Sequence, residues 1–157
     1  MESLVDRILK GIGHAAELYH RLVMLVAPAG SGKTAALQYV QARTSAPLVN
    51  VNLELSRRML DLTERQRTLQ APRLLADIVG AAATDVVLLD NIEVLFDVAL
   101  KQDPLRLLQG LSRNKTVVAA WSGAIDGEHI VYATPNHPEY KRYPLRDFLV
   151  VNLEAVA

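Results

Sequence analysis

Apolar and polar residues alternate along the chain in two rhythms, one helical and one of strands. Leu4, Val5, Ile8, Leu9 and Ile12 fall at helical spacing with charges between them, predicting an amphipathic helix within residues 3–19. Leu22-Val23-Met24-Leu25-Val26 is a continuous apolar run, and Ala35–Val40 reads as a helix after a Gly-rich turn. Thr44-Ser45-Ala46-Pro47 breaks the pattern, and Leu48–Leu53 then alternates as an edge or half-exposed strand does. Glu54–Ala71 mixes Leu55, Met59, Leu60 and Leu62 with arginines, including Arg65 and Arg67, and reads as a short helix and a polar loop. Pro72 is expected to start the next helix from its favoured first-turn position, with Leu74, Leu75, Ile78 and Val79 inward.

Val86-Val87-Leu88-Leu89-Asp90 is an apolar run ending in an acid, as in a strand buried on both faces of a parallel sheet. Asp103 and Pro104 predict an N-cap and first helical residue, with Leu105, Leu107, Leu108 and Leu111 as the buried face. Thr116–Trp121 is the next strand, which Ser122-Gly123 is expected to end. A turn at Asp126-Gly127 leads to His129–Tyr132, a hairpin-like excursion, and Phe148–Leu153 is the last strand. Strands alternating with helices predict an α/β layered sheet. Residues 1–157 read as one domain, with 1–20 as an N-terminal helix packed on the core.

Composition changes this picture little. The chain has 157 residues, enough for a sizeable core. Lys+Arg and Asp+Glu are both 17, so bulk charge gives no reason to expect tight nucleic-acid binding. There is no cysteine, hence no disulfide or thiolate metal site. The acidic start, Met1 to Asp6, does not resemble a signal peptide, and no apolar run approaches the ~20 residues that span a bilayer. A cytoplasmic protein without membrane contact is the expectation.

The chemistry concentrates after the first strand. Ala27-Pro28-Ala29-Gly30-Ser31-Gly32-Lys33-Thr34, between strand and helix, has the form of a phosphate-binding P-loop, with Ala27 at the position of the usual first glycine. Main-chain N–H groups from Ala29 to Ala35 and the helix dipole would face the phosphates of ATP. Lys33 would reach the β- and γ-phosphates, and Thr34 would place its hydroxyl on Mg²⁺. Asp90, at the end of a buried strand, is the expected metal-side carboxylate, acting through water.

The group that activates water is less evident. In many AAA+ ATPases the residue after this Asp is glutamate; here it is Asn91, whose amide orients water but accepts no proton, with Glu93 beyond. Glu93 can serve if the backbone turns back, and Glu54 is a weaker candidate. Ser122 stands where AAA+ proteins carry a γ-phosphate-sensing polar residue. Arg106 and Arg113, seven apart, are expected on one helix face, and Arg113 is the candidate to complete a neighbour's site. Arg57 and Arg58 are candidates for an interface or a nucleic-acid contact. Tyr140 and Tyr143 beside Lys141 and Arg142 suit base stacking, though without supporting net charge. His129 and His137 have no metal-ligand spacing.

Several stretches carry a resemblance over almost the whole length. They are Leu18–Val23, Asn50–Arg58, Leu88–Phe96, Gln102–Leu105 and His137-Pro138-Glu139-Tyr140. Together they resemble the BrxF family, the P-loop ATPases of type 3 BREX bacterial antiphage defence systems. The resemblance implies a three-layer AAA+-like core with a five-stranded, mostly parallel sheet in the order 5-1-4-3-2. It also implies ATP and Mg²⁺ as cofactors, a homo-oligomer, partners among other BREX subunits, and DNA contacted, if at all, through the assembly. With Phe148–Leu153 as last strand, the usual C-terminal helical lid is expected to be absent. Two other readings remain: a nucleotide-gated interaction protein with negligible hydrolysis, suggested by Asn91, and a small-molecule kinase, for which the Arg65/Arg67 segment is the nearest to a lid.

Overall fold

The computed structural model describes residues 3–153; Met1, Glu2 and 154–157 lie outside the described residues, and with them the ends of the 1–157 domain assignment. Five parallel strands form the main sheet: β1 (Leu22–Ala27), β2 (Leu48–Asn50), β3 (Val86–Asp90), β4 (Thr116–Asp126) and β7 (Leu149–Asn152), in the order β2-β3-β4-β1-β7. Counting β7 as fifth of these, the order is the expected 5-1-4-3-2. Between β4 and β7, β5 (His129–Tyr132) and β6 (Lys141–Pro144) add an antiparallel extension, β5 on β4 and β6 on β5.

Strand residues divide between two cores by their period of two. Leu22, Met24 and Val26 of β1 face one, and Val23 and Leu25 the other. The second core lies under α1 (Leu4–Ala15) and α2 (Lys33–Thr44), through Ile8, Ala15, Leu37 and Val40. The first lies under α3 (Val51–Met59), α4 (Glu64–Gly80) and α5 (Pro104–Leu111), through Leu55, Leu75, Ile78 and Leu108. Helices therefore cover both faces, which is why β1 and β3 are apolar almost throughout.

Four boundaries differ from the sequence reading. The alternation from Leu48 does not continue as strand: β2 stops at Asn50, whose side chain accepts from the Leu53 N–H and caps α3. Local capping outcompetes a fourth pair on an edge strand. The expected polar loop before Pro72 is helix, because Thr63 and Gln66 form a reciprocal capping box that starts α4 eight residues before Pro72. Pro72 therefore sits inside α4 and cannot bond the Thr68 carbonyl four residues back. That carbonyl is satisfied instead by the Gln102 side chain, at 2.8 Å.

The third difference is that Ser122-Gly123 do not end β4. The strand leaves the parallel sheet there and continues into the hairpin, whose turn does fall at Asp126-Gly127, with Gly127 at φ +60°. Trp121, fully buried, secures this switch by donating from Nε1 to the Val131 carbonyl at 2.9 Å. Its ring meets Phe96 edge-on, and Phe96 in turn stacks on Tyr132. Finally, β7 starts at Leu149 rather than Phe148; Phe148 is buried in the first core.

Candidate functional site

The C-terminal ends of parallel strands are where an open α/β sheet binds ligands, and here β1, β3 and β4 bring the singled-out residues to one edge. Ala27 closes β1 with an ordinary negative φ, so alanine at the first-glycine position causes no strain. Gly30 and Gly32 then adopt φ +78° and +91°; space for a Cβ exists at both, so backbone conformation is what requires glycine. Gly32 caps α2, whose first N–H groups have no acceptor within the helix.

Lys33, the first residue of α2, is only 7% exposed, and its ammonium folds back over the loop. It donates to the Pro28 carbonyl at 2.8 Å and to the Ala27 carbonyl at 3.1 Å. Burial lowers its pKa from the ordinary lysine value, while Glu93 and Asp90 oppose that shift. The next residue, Thr34, donates its hydroxyl to Asp90 Oδ2 at 2.5 Å, joining α2 to the end of β3. Asp90 is also 7% exposed, and its other oxygen accepts from the Asn91 N–H at 2.9 Å.

The backbone does turn back after Asp90. Asn91 is left-handed, at φ 54° and ψ 49°, and a 3₁₀ turn over Ile92–Phe96 follows. Glu93 thereby returns to the strand ends, where Ser122 Oγ donates to its Oε2 at 3.1 Å. Lys33, Thr34, Asp90, Glu93 and Ser122 thus form one cluster. A cleft of about 520 Å³ opens beside it, lined by Ala29, Glu93 and Ser122 together with Tyr132 of β5 and with His137 and Glu139 of the β5–β6 connection. Burial, reinforced by Glu139 and Glu93, pushes the Tyr132 phenol up to about 12, so it stays a neutral donor at physiological pH.

Other residues lie elsewhere. The Asn91 side chain is exposed and makes no capping bond. Glu54, on α3, is paired with Arg58 at 2.9 Å and Arg57 at 3.7 Å. Arg113 is not on the helix with Arg106: α5 ends at Leu111, and Arg113 stacks on Tyr19 with its guanidinium carbon 5.3 Å from the ring centre. It precedes Thr116, at the opposite end of β4 from Ser122, about 20 Å away along the strand. It therefore cannot reach the cluster of its own chain. Tyr143, expected to be free for stacking, donates to Asp103 Oδ1 at 2.7 Å and packs beside Trp121.

Sequence reasoning missed the β5–β6 segment's share of the cleft: it takes Tyr140–Tyr143 for base stacking and His137–Tyr140 for a family resemblance, and gives neither a place beside the phosphate loop. One signal was present: asparagine is among the few residues that tolerate a left-handed turn, so Asp90-Asn91 before an apolar residue marks a reversal.

Among the described residues no group of three or more His, Asp or Glu is placed to hold a metal ion. A Mg²⁺ held largely by phosphates and water needs no such cage. Among the same residues no helix is long and apolar enough to cross a membrane. No family model matches the chain, and no curated protein matches it in sequence.

Proposed function

We propose that the cluster binds ATP with Mg²⁺ and hydrolyses it, in a P-loop NTPase core of AAA+ type. The observation that carries this reading is the meeting of Thr34 and Asp90 at 2.5 Å beside the ammonium of Lys33. A hydroxyl and a carboxylate from different elements converge one residue beyond a buried cation, as a metal–phosphate ligand requires. The donor set suits a hard cation: Thr34 would hold it directly and Asp90 through water. Mg²⁺, when bound, neutralises charge on the phosphate oxygens.

The chain's own groups have separable roles. The 28–34 turn and the start of α2 supply N–H donors for the phosphates. Lys33 exchanges its bond to the exposed Pro28 carbonyl for a phosphate oxygen. Glu93, oriented by the Ser122 hydroxyl, accepts a proton from the attacking water. Ser122 is thereby placed to respond to the terminal phosphate. Arg113 of the same chain does not supply an arginine to the site, since it lies at the far end of the sheet; it could do so only for a neighbour's site.

The BREX assignment rests on the quoted stretches, and what it adds is a context: an oligomer acting with other subunits of a bacterial antiphage system in the cytoplasm. The kinase reading draws no support from Arg65 and Arg67, which lie in the first turns of α4, where Arg67 is bonded to the Leu62 carbonyl.

Glu93→Gln tests the mechanism. It lowers the rate of ADP formation by about 10²-fold or more, in line with the loss of a general base, and leaves ATP affinity equal or tighter. Turnover unchanged by this substitution would place the base elsewhere. Tight ATP binding with negligible turnover in the wild type and its oligomers would favour the nucleotide-gated interaction protein.

A further inference from the structure

We infer that Asn91 is a positioning residue that acts through its main chain, fixing both carboxylates of the cluster at once. The inference rests on the ATP-binding reading above. Three bonds or contacts carry it. The Asn91 N–H donates to Asp90 Oδ1 at 2.9 Å, which leaves Oδ2 turned to the Thr34 hydroxyl. The Asn91 carbonyl accepts from the Asn52 N–H at 3.1 Å, tying the reversal to the first turn of α3. The next residue, Ile92, is fully buried and anchors the 3₁₀ turn that carries Glu93.

The chain is therefore fixed on either side, at Asp90 in β3 and at Ile92 in the core. Between them the dihedral angles of Asn91 set the direction in which the turn carrying Glu93 leaves β3, toward Ser122. Those angles lie in the left-handed region, open to glycine, tolerated by asparagine and strongly disfavoured by a branched Cβ. The amide side chain is exposed and uncommitted to any cap, so it is not what holds the turn. This reverses the role a sequence reading gives Asn91, in which the amide orients water.

The experiment compares Asn91→Gly, Asn91→Ala and Asn91→Val, each alone and combined with Glu93→Gln, by ATP turnover and by calorimetric titration with Mg²⁺-ATP. Thermal unfolding of every variant checks the fold, and Asn91→Ala stands in if the valine variant does not fold. Asn91→Gly deletes the amide but keeps the turn, and retains kcat within about threefold of wild type. Asn91→Val keeps ATP affinity within about threefold but loses kcat by roughly tenfold or more. Adding Glu93→Gln lowers turnover further in the glycine background and adds less than about twofold in the valine background, because the carboxylate is already displaced.

Equal losses for glycine and valine would show that the amide matters, and full turnover in the valine variant would show that the turn does not; either overturns the inference. If the wild type binds ATP but turns over too slowly to measure, the affinities decide. Glu93→Gln then tightens ATP in the wild type and the glycine variant but not in the valine variant, and an equal effect in all three contradicts the inference. Absence of ATP binding to the wild type is a distinct result: it removes the ATP-binding reading and the inference with it.

Discussion

Lys33→Ala lowers affinity for Mg²⁺-ATP by about a hundredfold or more while leaving the protein folded. The magnitude follows from removing one partner of a largely desolvated charge pair, which costs roughly 2–5 kcal/mol. In the protein itself the ammonium bonds only main-chain carbonyls of its own loop, and loss of those bonds is offset by relief of the buried charge, so stability changes by no more than about 1 kcal/mol. The same residue gives the affinity a pH dependence. Burial lowers the Lys33 pKa, so its proton leaves at lower pH than from a free lysine. Affinity for ATP therefore falls as pH rises through that depressed value, and the Lys33→Ala variant lacks this alkaline limb. Stability responds in the opposite sense. A depressed lysine pKa means that the buried charge disfavours the folded state at low pH, and this penalty fades as pH rises through the folded value. Titration calorimetry across pH 7–10, with thermal unfolding in parallel, separates the two effects.

Gly123→Ala has the largest expected effect on stability. A Cβ at this position would stand 2.0 Å from the Val131 carbonyl oxygen and 2.8 Å from Trp121 Nε1, between the two atoms of the bond that anchors the hairpin. Neither is the tip of a flexible chain, so β4 and β5 must separate. Overpacking and a broken buried hydrogen bond together cost about 3 kcal/mol, a fall in Tm of roughly 6–12 °C. Because β4 passes directly from Ser122 into this hairpin, the cleft wall carrying Tyr132 shifts as well, and turnover falls with stability. A melting temperature within 2 °C of wild type, on the scale of about 1 kcal/mol or less, would contradict the close approach.

The residues that made the sheet legible are those whose pattern is set by burial. A run of four apolar residues closed by Asp90 suits an interior parallel strand, and the order of the five parallel strands matches the expectation. Asp103-Pro104 likewise caps α5 as read, because an N-cap followed by proline is decided within a single turn. Reading failed where a local signal was overruled from a distance. Pro72 looked like a helix start because the partner that compensates its missing N–H, Gln102, lies thirty residues away in sequence. Ser122-Gly123 looked like a strand end because nothing near them in sequence shows that Trp121 will hold a hairpin in place.

The site divides in the same way. The loop residues and Asp90 were readable because glycine spacing and an acid at a strand end are short-range patterns. That Glu93 turns back toward the site stays conditional in the sequence, since it depends on one left-handed residue whose angles no periodicity encodes, and its bond to Ser122 is not foreseen there at all. The separation of Arg113 from the cluster was legible, since it precedes the strand that Ser122 follows, about 20 Å along it; what was not legible is that α5 ends two residues before it, which takes it off the helix face of Arg106.

The central claim is that the 28–34 loop and Asp90 together hold a metal–triphosphate. Isothermal titration of ATP into the wild type and Asp90→Ala, each with Mg²⁺ and with EDTA, tests it most directly. The account predicts saturable binding to the wild type that weakens about tenfold or more when the metal is withdrawn, and an Asp90→Ala variant that responds far less to the metal. Binding to the wild type that is absent, or indifferent to Mg²⁺ and to Asp90, would contradict it.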